Sequence, residues 1–360
     1  MTVGLVADPG LSTKIVEALA EELPTAFAEK ISDRVDWRVE VYSLALPLDE
    51  DGNIEVSKYS DDLMREKGWN LVVCVTELTR RLGQTLVVSD TNKSHGAALI
   101  SLPALGAIRL RHHARGSIIR VVRGMFDPRS PNAERLNRLN ASSLQPIRER
   151  VADDSSGRNV FIELSPLRGR LRVLLGMVQV NRPWRMLPSL SSAIAAAVAT
   201  AAFGVFYSSI WSMADSMSGT RLAFISVVAI MAMMAWLMLY NGLWERPRDL
   251  DQRKNAALYN SATVLTLAVG VASMYVLLFA VVMLGALVIV PPDYLRASLS
   301  HPVDWRDYTE LALLASSLGT FAGALGSSFE TDYAIRDATY GKREQERHAR
   351  ATATSSDYPR

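Results

Sequence analysis

Cysteine is almost missing from this chain of 360 residues: Cys74 stands alone. A lone cysteine excludes an internal disulfide and fits a reducing compartment for the part that carries it. No secretory leader is expected either. The opening residues 2–7 form a short apolar run stopped by Asp8 and Pro9, with neither a basic n-region nor a long h-region. The first domain is therefore expected in the cytoplasm. Net charge is small: a formal +2 gives no argument for a nucleic-acid partner. The chain also has no His-Glu-x-x-His, no P-loop lysine and no Gly-x-Gly-x-x-Gly after its first strand. No pattern names a cofactor, a metal set or a catalytic group.

Charge is lacking over long stretches of the second half. About 20 apolar residues cross roughly 30 Å of hydrocarbon. Residues 186–214 carry no charge, and a first span is expected over 189–211. Residues 222–244 give a second. Residues 255–292 are uncharged, with a third span beginning near Thr263, either as one long tilted helix or as a helix plus a re-entrant piece. Residues 311–329 give a fourth, the least greasy and the richest in small residues. Arginines at 168, 170, 172, 182 and 185 precede the first span. Arg246, Arg248, Arg253 and Lys254 lie between the second and third, and Arg336, Lys342, Arg343, Arg347 and Arg350 follow the fourth. The other two loops hold only Arg221, Arg296 and Arg306. The positive-inside rule then places both termini in the cytoplasm of a multi-pass plasma-membrane protein.

The first half is patterned like a soluble α/β domain. Residues 3–7 read as a buried strand. Leu11, Ile15, Leu19, Leu23, Phe27 and Ile31 mark one face of a helix that Pro24 kinks or restarts. Trp37, Val39 and Val41 alternate with charged residues, as in a half-buried strand. A turn is expected at 49–53 and a helix over 57–68 with Gly68 as its stop. Residues 71–75 are continuously apolar, as in a strand covered on both faces. Two further strands are expected at 86–88 and 97–102, and a basic helix over 115–126. This makes residues 1–126 an α/β domain with a mixed sheet and flanking helices. Residues 127–185 read as a linker with one polar helix over 133–151, a strand at 160–164 and a basic amphipathic helix from Pro166. That last helix either lies in the membrane interface or packs on the soluble domain. An all-α four-helix transmembrane bundle over 186–330 and a disordered cytoplasmic tail over 331–360 complete the organisation.

Charge within the soluble domain is uneven. Residues 1–79 hold 7 basic and 16 acidic side chains, and residues 80–150 hold 13 basic and 4 acidic. Ordinary surface charge accounts for this, as does a basic face toward anionic headgroups or a negative ligand. The turn Asp8-Pro9-Gly10-Leu11-Ser12 lies between a strand and a helix, where phosphates bind, so Asp8, Gly10 and Ser12 are candidate ligand contacts. His95, His112, His113 and Asp90 form a poor metal set, because adjacent histidines point apart. Polar residues gather at the cytoplasmic rim of the bundle: Asn241, Glu245, Asn260, Glu330, Asp332 and Arg336. They suit a hydrogen-bonded ring, an ion vestibule or a docking surface, and equally plain end-capping. Ala193, Ala197 and Ala201 in the first span, and Ala315, Gly319, Gly323 and Ser327 in the fourth, recur every four residues and suit close helix packing. That packing is either internal to the bundle or a contact between copies of the chain. No ionisable residue sits in the middle of a span, which weakens a pump reading.

The order of pieces over 71–126 resembles the front half of zincin peptidase folds. The helix that carries the zinc motif there reads Ile118-Ile119-Arg120-Val121-Val122-Arg123 here, without a ligand, so the resemblance implies a scaffold or sensor rather than a zinc hydrolase. Arginine far outnumbers lysine. Three stretches, Asp8-Pro9-Gly10-Leu11, Asn181-Arg182-Pro183-Trp184-Arg185 and Ala324-Leu325-Gly326-Ser327-Ser328-Phe329-Glu330, give the chain as a whole its likeness. It resembles a family of multi-pass membrane proteins of high-GC Gram-positive bacteria, and the resemblance implies no particular activity. Two functions fit. One is a cytoplasmic sensing or binding domain coupled to a bundle that acts as a conduit or complex subunit, with the lipid bilayer and further copies of the chain as partners. The other is a membrane-anchored enzyme acting on a phosphate-containing or lipid-linked substrate.

Overall fold

The computed structural model describes residues 1–45, 56–82, 85–126, 147–154, 157–164, 166–245 and 252–327. The chain divides into one unit over Met1–Val180 and a second that starts at Asn181.

The first unit is built on a mixed sheet of eight strands in the order β2-β1-β3-β6-β5-β8-β7, with β4 paired to β5. Strand β1 (Thr2–Ala7) lies between β2 (Arg38–Ser43) and β3 (Leu71–Thr76), parallel to both. Strand β6 (Ala97–Ser101) extends this parallel half. The strands β1, β3 and β6 are buried almost throughout, which explains their unbroken apolar runs. The outermost parallel strand, β2, keeps the alternation of an edge with one wet face. Beyond β6 the sheet turns antiparallel through β5 (Thr85–Asn92), β8 (Gly157–Leu164) and β7 (Ile147–Asp154), with β4 (Arg80–Leu82) folded back on β5.

This outcome corrects one expectation. Residues 147–151 belong to β7 rather than to the end of a polar helix. The spacing of Ile147 and Val151 fits a helix turn and a strand face equally, and pairing with β8 decides between them. The rest of that stretch, 133–146, lies outside the described residues, as does the turn at 49–53.

The helices behave as their sequence signals require. The repeat from Leu11 splits into α1 (Leu11–Ala20) and α2 (Leu23–Lys30), with Pro24 tolerated in the first turn of the second piece. Helix α3 (Val56–Lys67) stops at Gly68, whose φ of +69° suits glycine. Helix α4 (Leu110–Phe126) buries Ile118, Ile119, Val122 and Met125. Phe27 is fully buried and meets Trp37, which also contacts Phe126. Burying a side chain of that size contributes about 1.5–3 kcal/mol. Helix α5 (Pro166–Asn181) packs on this unit through Val173 and Met177, both fully buried. It comes so close that a Cβ on Gly176 would sit 2.1 Å from the Pro103 carbonyl oxygen. Arg172 on the same helix donates to the Leu105 carbonyl at 2.8 Å. Packing on the soluble unit therefore takes one face of α5, while Leu171 and Leu175 stay exposed beside Arg168 and Arg170.

The second unit is helical. After one turn, α6 (Met186–Ser189), come α7 (Ser191–Phe206), α8 (Ser208–Asp215), α9 (Gly219–Tyr240), α10 (Gln252–Ile289), α11 (Pro292–Leu299) and α12 (Trp305–Gly326). Two of these, α9 and α10, are long and apolar enough to cross a membrane. The pair α7 and α8 adds a third candidate if it counts as one span, but it bends by 83° at Tyr207. The Trp211 indole donates to the Gly204 carbonyl at 3.1 Å and so meets a backbone group freed by the bend. The third apolar stretch is one continuous helix with no re-entrant piece.

The expected fourth span, α12, does not meet the same test of length and apolarity. Its composition has a packing cause. Helix α12 is the most enclosed element of the unit, with Leu311, Ala312, Ala315, Ser316, Ser317, Gly319, Thr320 and Gly323 all buried. A helix ringed by other helices needs small residues, not greasy ones. The greasy residues face outward instead: Phe224, Met231 and Leu239 on α9 and Val276, Leu284 and Val288 on α10 are all more than half exposed. Apolar surface of that extent suits lipid rather than water.

Candidate functional site

The turn singled out in the sequence lies at the carboxyl edge of the parallel strands β1 and β3, where open α/β sheets commonly bind ligands. Asp8 is fully buried. Its Oδ2 accepts from Thr76 Oγ1 at 2.6 Å and from the Glu77 backbone N–H at 3.0 Å. Thr76 Oγ1 in turn accepts from the Leu78 N–H at 3.0 Å. Helix α1 then starts with its first amides aimed at this corner. Glu77 Oε1 accepts from the Leu11 N–H at 2.5 Å and from the Ser12 N–H at 3.1 Å. A helix N-terminus attracts an anion because its amides are unsatisfied and its dipole end is positive. Here the anion is a carboxylate of the chain itself, brought from 66 residues away.

Gly10 makes that approach possible. Its φ is +131°, and a Cβ there would sit 2.6 Å from Glu77 Oε1. Asp8, Gly10 and Ser12 are thus brought together, but around Glu77. Ser12 Oγ is buried without a hydrogen-bond partner among the described residues. Cys74, next but one to Thr76 in β3, is fully buried, and its thiol is pushed up to about 12 by burial, with the Asp8 carboxylate adding to the effect. At neutral pH it is an inert thiol.

The histidines of the first unit do not gather with Asp90. His95 Nδ1 lies 3.1 Å from Asp61. Asp90 pairs with Arg80 at 3.1 Å, and burial raises its carboxyl although Arg80 partly offsets this. His112 and His113 sit side by side on α4 with ring centroids 5.9 Å apart. Burial lowers His113, helped by the charge of Arg172. The uneven charge of the domain also finds a local use: Arg111 and Arg115 of α4 both reach Glu22 on the acidic side.

In the second unit the rim residues separate. Glu245 and Asn260 form a reciprocal clamp: the Glu245 N–H donates to Asn260 Oδ1 at 2.9 Å, and Asn260 Nδ2 donates to the Glu245 carbonyl at 3.0 Å. Burial raises the Glu245 carboxyl. Asn241 Nδ2 instead returns to its own helix at the Leu237 carbonyl. Glu330, Asp332 and Arg336 lie outside the described residues.

The two small-residue stripes meet each other. A Cβ on Gly319 would lie 2.5 Å from the Ala197 carbonyl oxygen, and one on Gly323 would lie 2.9 Å from that of Ala193. Ala315 stands 2.4 Å from where a Gly204 Cβ would be, and Ser327 Oγ donates back to the Ala324 carbonyl. Sequence reasoning missed a neutral polar knot inside the bundle, because it looked there for ionisable groups. Tyr275 Oη on α10 donates to Ser226 Oγ on α9 at 2.8 Å and lies 3.1 Å from Ser317 Oγ on α12. It also missed Asp215, His301 and Asp307, whose ligand atoms all lie within 4.8 Å of one another. A histidine and two aspartates flanking uncharged runs were the available signal.

Compared with protein-family models, with curated proteins and with solved structures, the chain matches none.

Proposed function

We propose that this is a four-span membrane protein with both termini in the cytoplasm. In this reading its α/β domain is a non-enzymatic binding or sensing module for a bundle that serves as a conduit or complex subunit. The arginine asymmetry supports the orientation. The outward apolar faces of α9 and α10 support lipid as a partner. The observation that carries the binding reading is Glu77. Its carboxylate fills the anion cradle at the start of α1, and in this reading an anionic ligand takes its place.

A second reading, a membrane-anchored enzyme on a phosphate-containing or lipid-linked substrate, draws on the same corner and on the unbonded Ser12 Oγ. Inorganic phosphate tests the corner and a phosphate ester separates the two readings, both on the purified full-length protein. Glu77→Ala removes the internal anion and should gain phosphate binding that wild type lacks at the same concentration. It should also lose about 1–3 kcal/mol of stability through the unpaired amides. Failure of Glu77→Ala to bind phosphate would remove the cradle from function. Turnover of a phosphate ester by wild type would favour the enzyme.

A further inference from the structure

We propose that Asp215, His301 and Asp307 hold a divalent transition-metal ion, and that zinc is the ion their chemistry fits. The site lies in the helical unit and does not depend on the functional reading above. Its three residues come from three separate elements: the last residue of α8, the turn after α11, and the first turn of α12. His301 Nε2 lies 2.9 Å from Asp215 Oδ1, and the ligand atoms of all three lie within 4.8 Å. Zinc bound by nitrogen and oxygen at about 2.0–2.2 Å sets its donors roughly 3–4 Å apart. The first pair, at hydrogen-bond distance, would open slightly around an ion, and Asp307 would draw in to complete the set.

The other ring nitrogen argues for the ion. His301 Nδ1 lies 2.9 Å from the Pro302 carbonyl oxygen. The Pro302 carbonyl and the Asp215 carboxylate both accept only, so without an ion both ring nitrogens donate, and a bound ion would take the place of the Nε2 proton while Nδ1–H stays on the carbonyl. That is how a metal-binding histidine is held, with its far N–H fixed by a backbone carbonyl. One oxygen of Asp307 accepts from the Asp304 N–H at 2.7 Å as part of the α12 cap. A carboxylate has about four lone-pair sites, so capping does not use it up.

The neighbouring cations are turned elsewhere. Arg306 donates to Glu310 at 2.9 Å, and Arg296 lies 3.7 Å from Asp293. His301 and Asp215 are about one-third exposed, which leaves access for the ion and room for water at its remaining position. Imidazole with two carboxylates favours zinc or a similar transition ion over magnesium, which prefers oxygen and water.

The test uses the full-length protein in detergent, stripped with a chelator and titrated with Zn2+ or Mg2+ while binding and thermal unfolding are followed. Expected are saturable zinc binding and a higher melting temperature, with no comparable effect of magnesium. His301→Gln and Asp215→Asn should each weaken zinc at least about tenfold, since even outer-shell losses cost that much. His95→Gln, at the other His–Asp contact, should not. Co2+ in place of zinc should give a visible spectrum that changes in His301→Gln. If that variant does not fold, Asp215→Asn decides alone. A melting temperature indifferent to zinc, or zinc affinity unchanged in the variants, would overturn the proposal and leave a plain histidine–aspartate contact.

Discussion

At the scale of single residues, Cys74 shows how position cancels reactivity. It sits in the middle of the parallel half of the sheet, opposite Val6 and Leu99. Maleimide should leave it unmodified in the native protein at neutral pH and modify it once the chain unfolds. Native labelling at a rate near that of a free thiol would contradict its burial. The sign of the pH effect follows from the upward shift. As pH rises past 9.0 an unfolded thiol ionises, whereas the folded one keeps its proton up to about 12. The unfolded state therefore sheds the proton first, and stability falls across that window. Gly4 is a second residue whose identity is forced. A Cβ there would lie 2.0 Å from the Trp69 ring, which is tied to Glu40 by a 2.7 Å hydrogen bond from its indole. Gly4→Ala should cost about 1–3 kcal/mol in denaturant unfolding, because the indole has to move. A midpoint equal to wild type would mean that Trp69 relocates freely. Of these features only the burial of β3 was legible in the sequence. Glu77 as the partner of α1 was not, because it depends on the parallel pairing of β1 with β3.

At the scale of elements, the seam between α7 and α12 makes the sharpest claim. Gly323→Leu puts a branched side chain where the Ala193 carbonyl already stands, so the helices have to separate. The expected cost is about 1–3 kcal/mol of overpacking. Leu318→Ala, at a position 38% exposed, should matter less. Thermal unfolding combined with native mass spectrometry reads the result. A lower melting temperature at unchanged mass fits an internal seam. An oligomer that falls apart into folded monomers would mean that the stripe joins copies of the chain. Both stripes were legible from their four-residue spacing, but their mutual contact was not. Helix α12 carries two signals at once. Its lack of charge over 311–329 reads as a span, yet its serines, threonines and glycines record enclosure by other helices. The break at Tyr207 was also invisible, because the apolar run passes through it unchanged.

At the scale of the whole molecule, orientation and domain extent can be tested. Cysteines placed at Ser218 and Ser298 should react with impermeant reagents on intact cells, and one at Ser355, outside the described residues, should not. The buried Cys74 keeps the background low. Labelling at Ser355 alone would invert the topology. The soluble unit should express as a folded monomer over residues 1–180. A fragment over 1–126 lacks β8 and leaves the β5 edge from Val87 to Asn92 unpaired, which invites aggregation. Equal solubility of the two fragments would show that the hairpin is dispensable. The long separation between β5 and its partner is why the sequence alone closes this domain too early.

That late-arriving hairpin has a consequence during synthesis. The sheet is complete only when Leu164 has been made, and the first long apolar helix begins at Ser191. At roughly 5–20 residues per second, the intervening stretch takes only a few seconds to translate. The first unit therefore makes its most non-local strand pairing only shortly before apolar helix begins to emerge from the ribosome. Slowing translation through this interval with rare codons should therefore change the yield of folded protein.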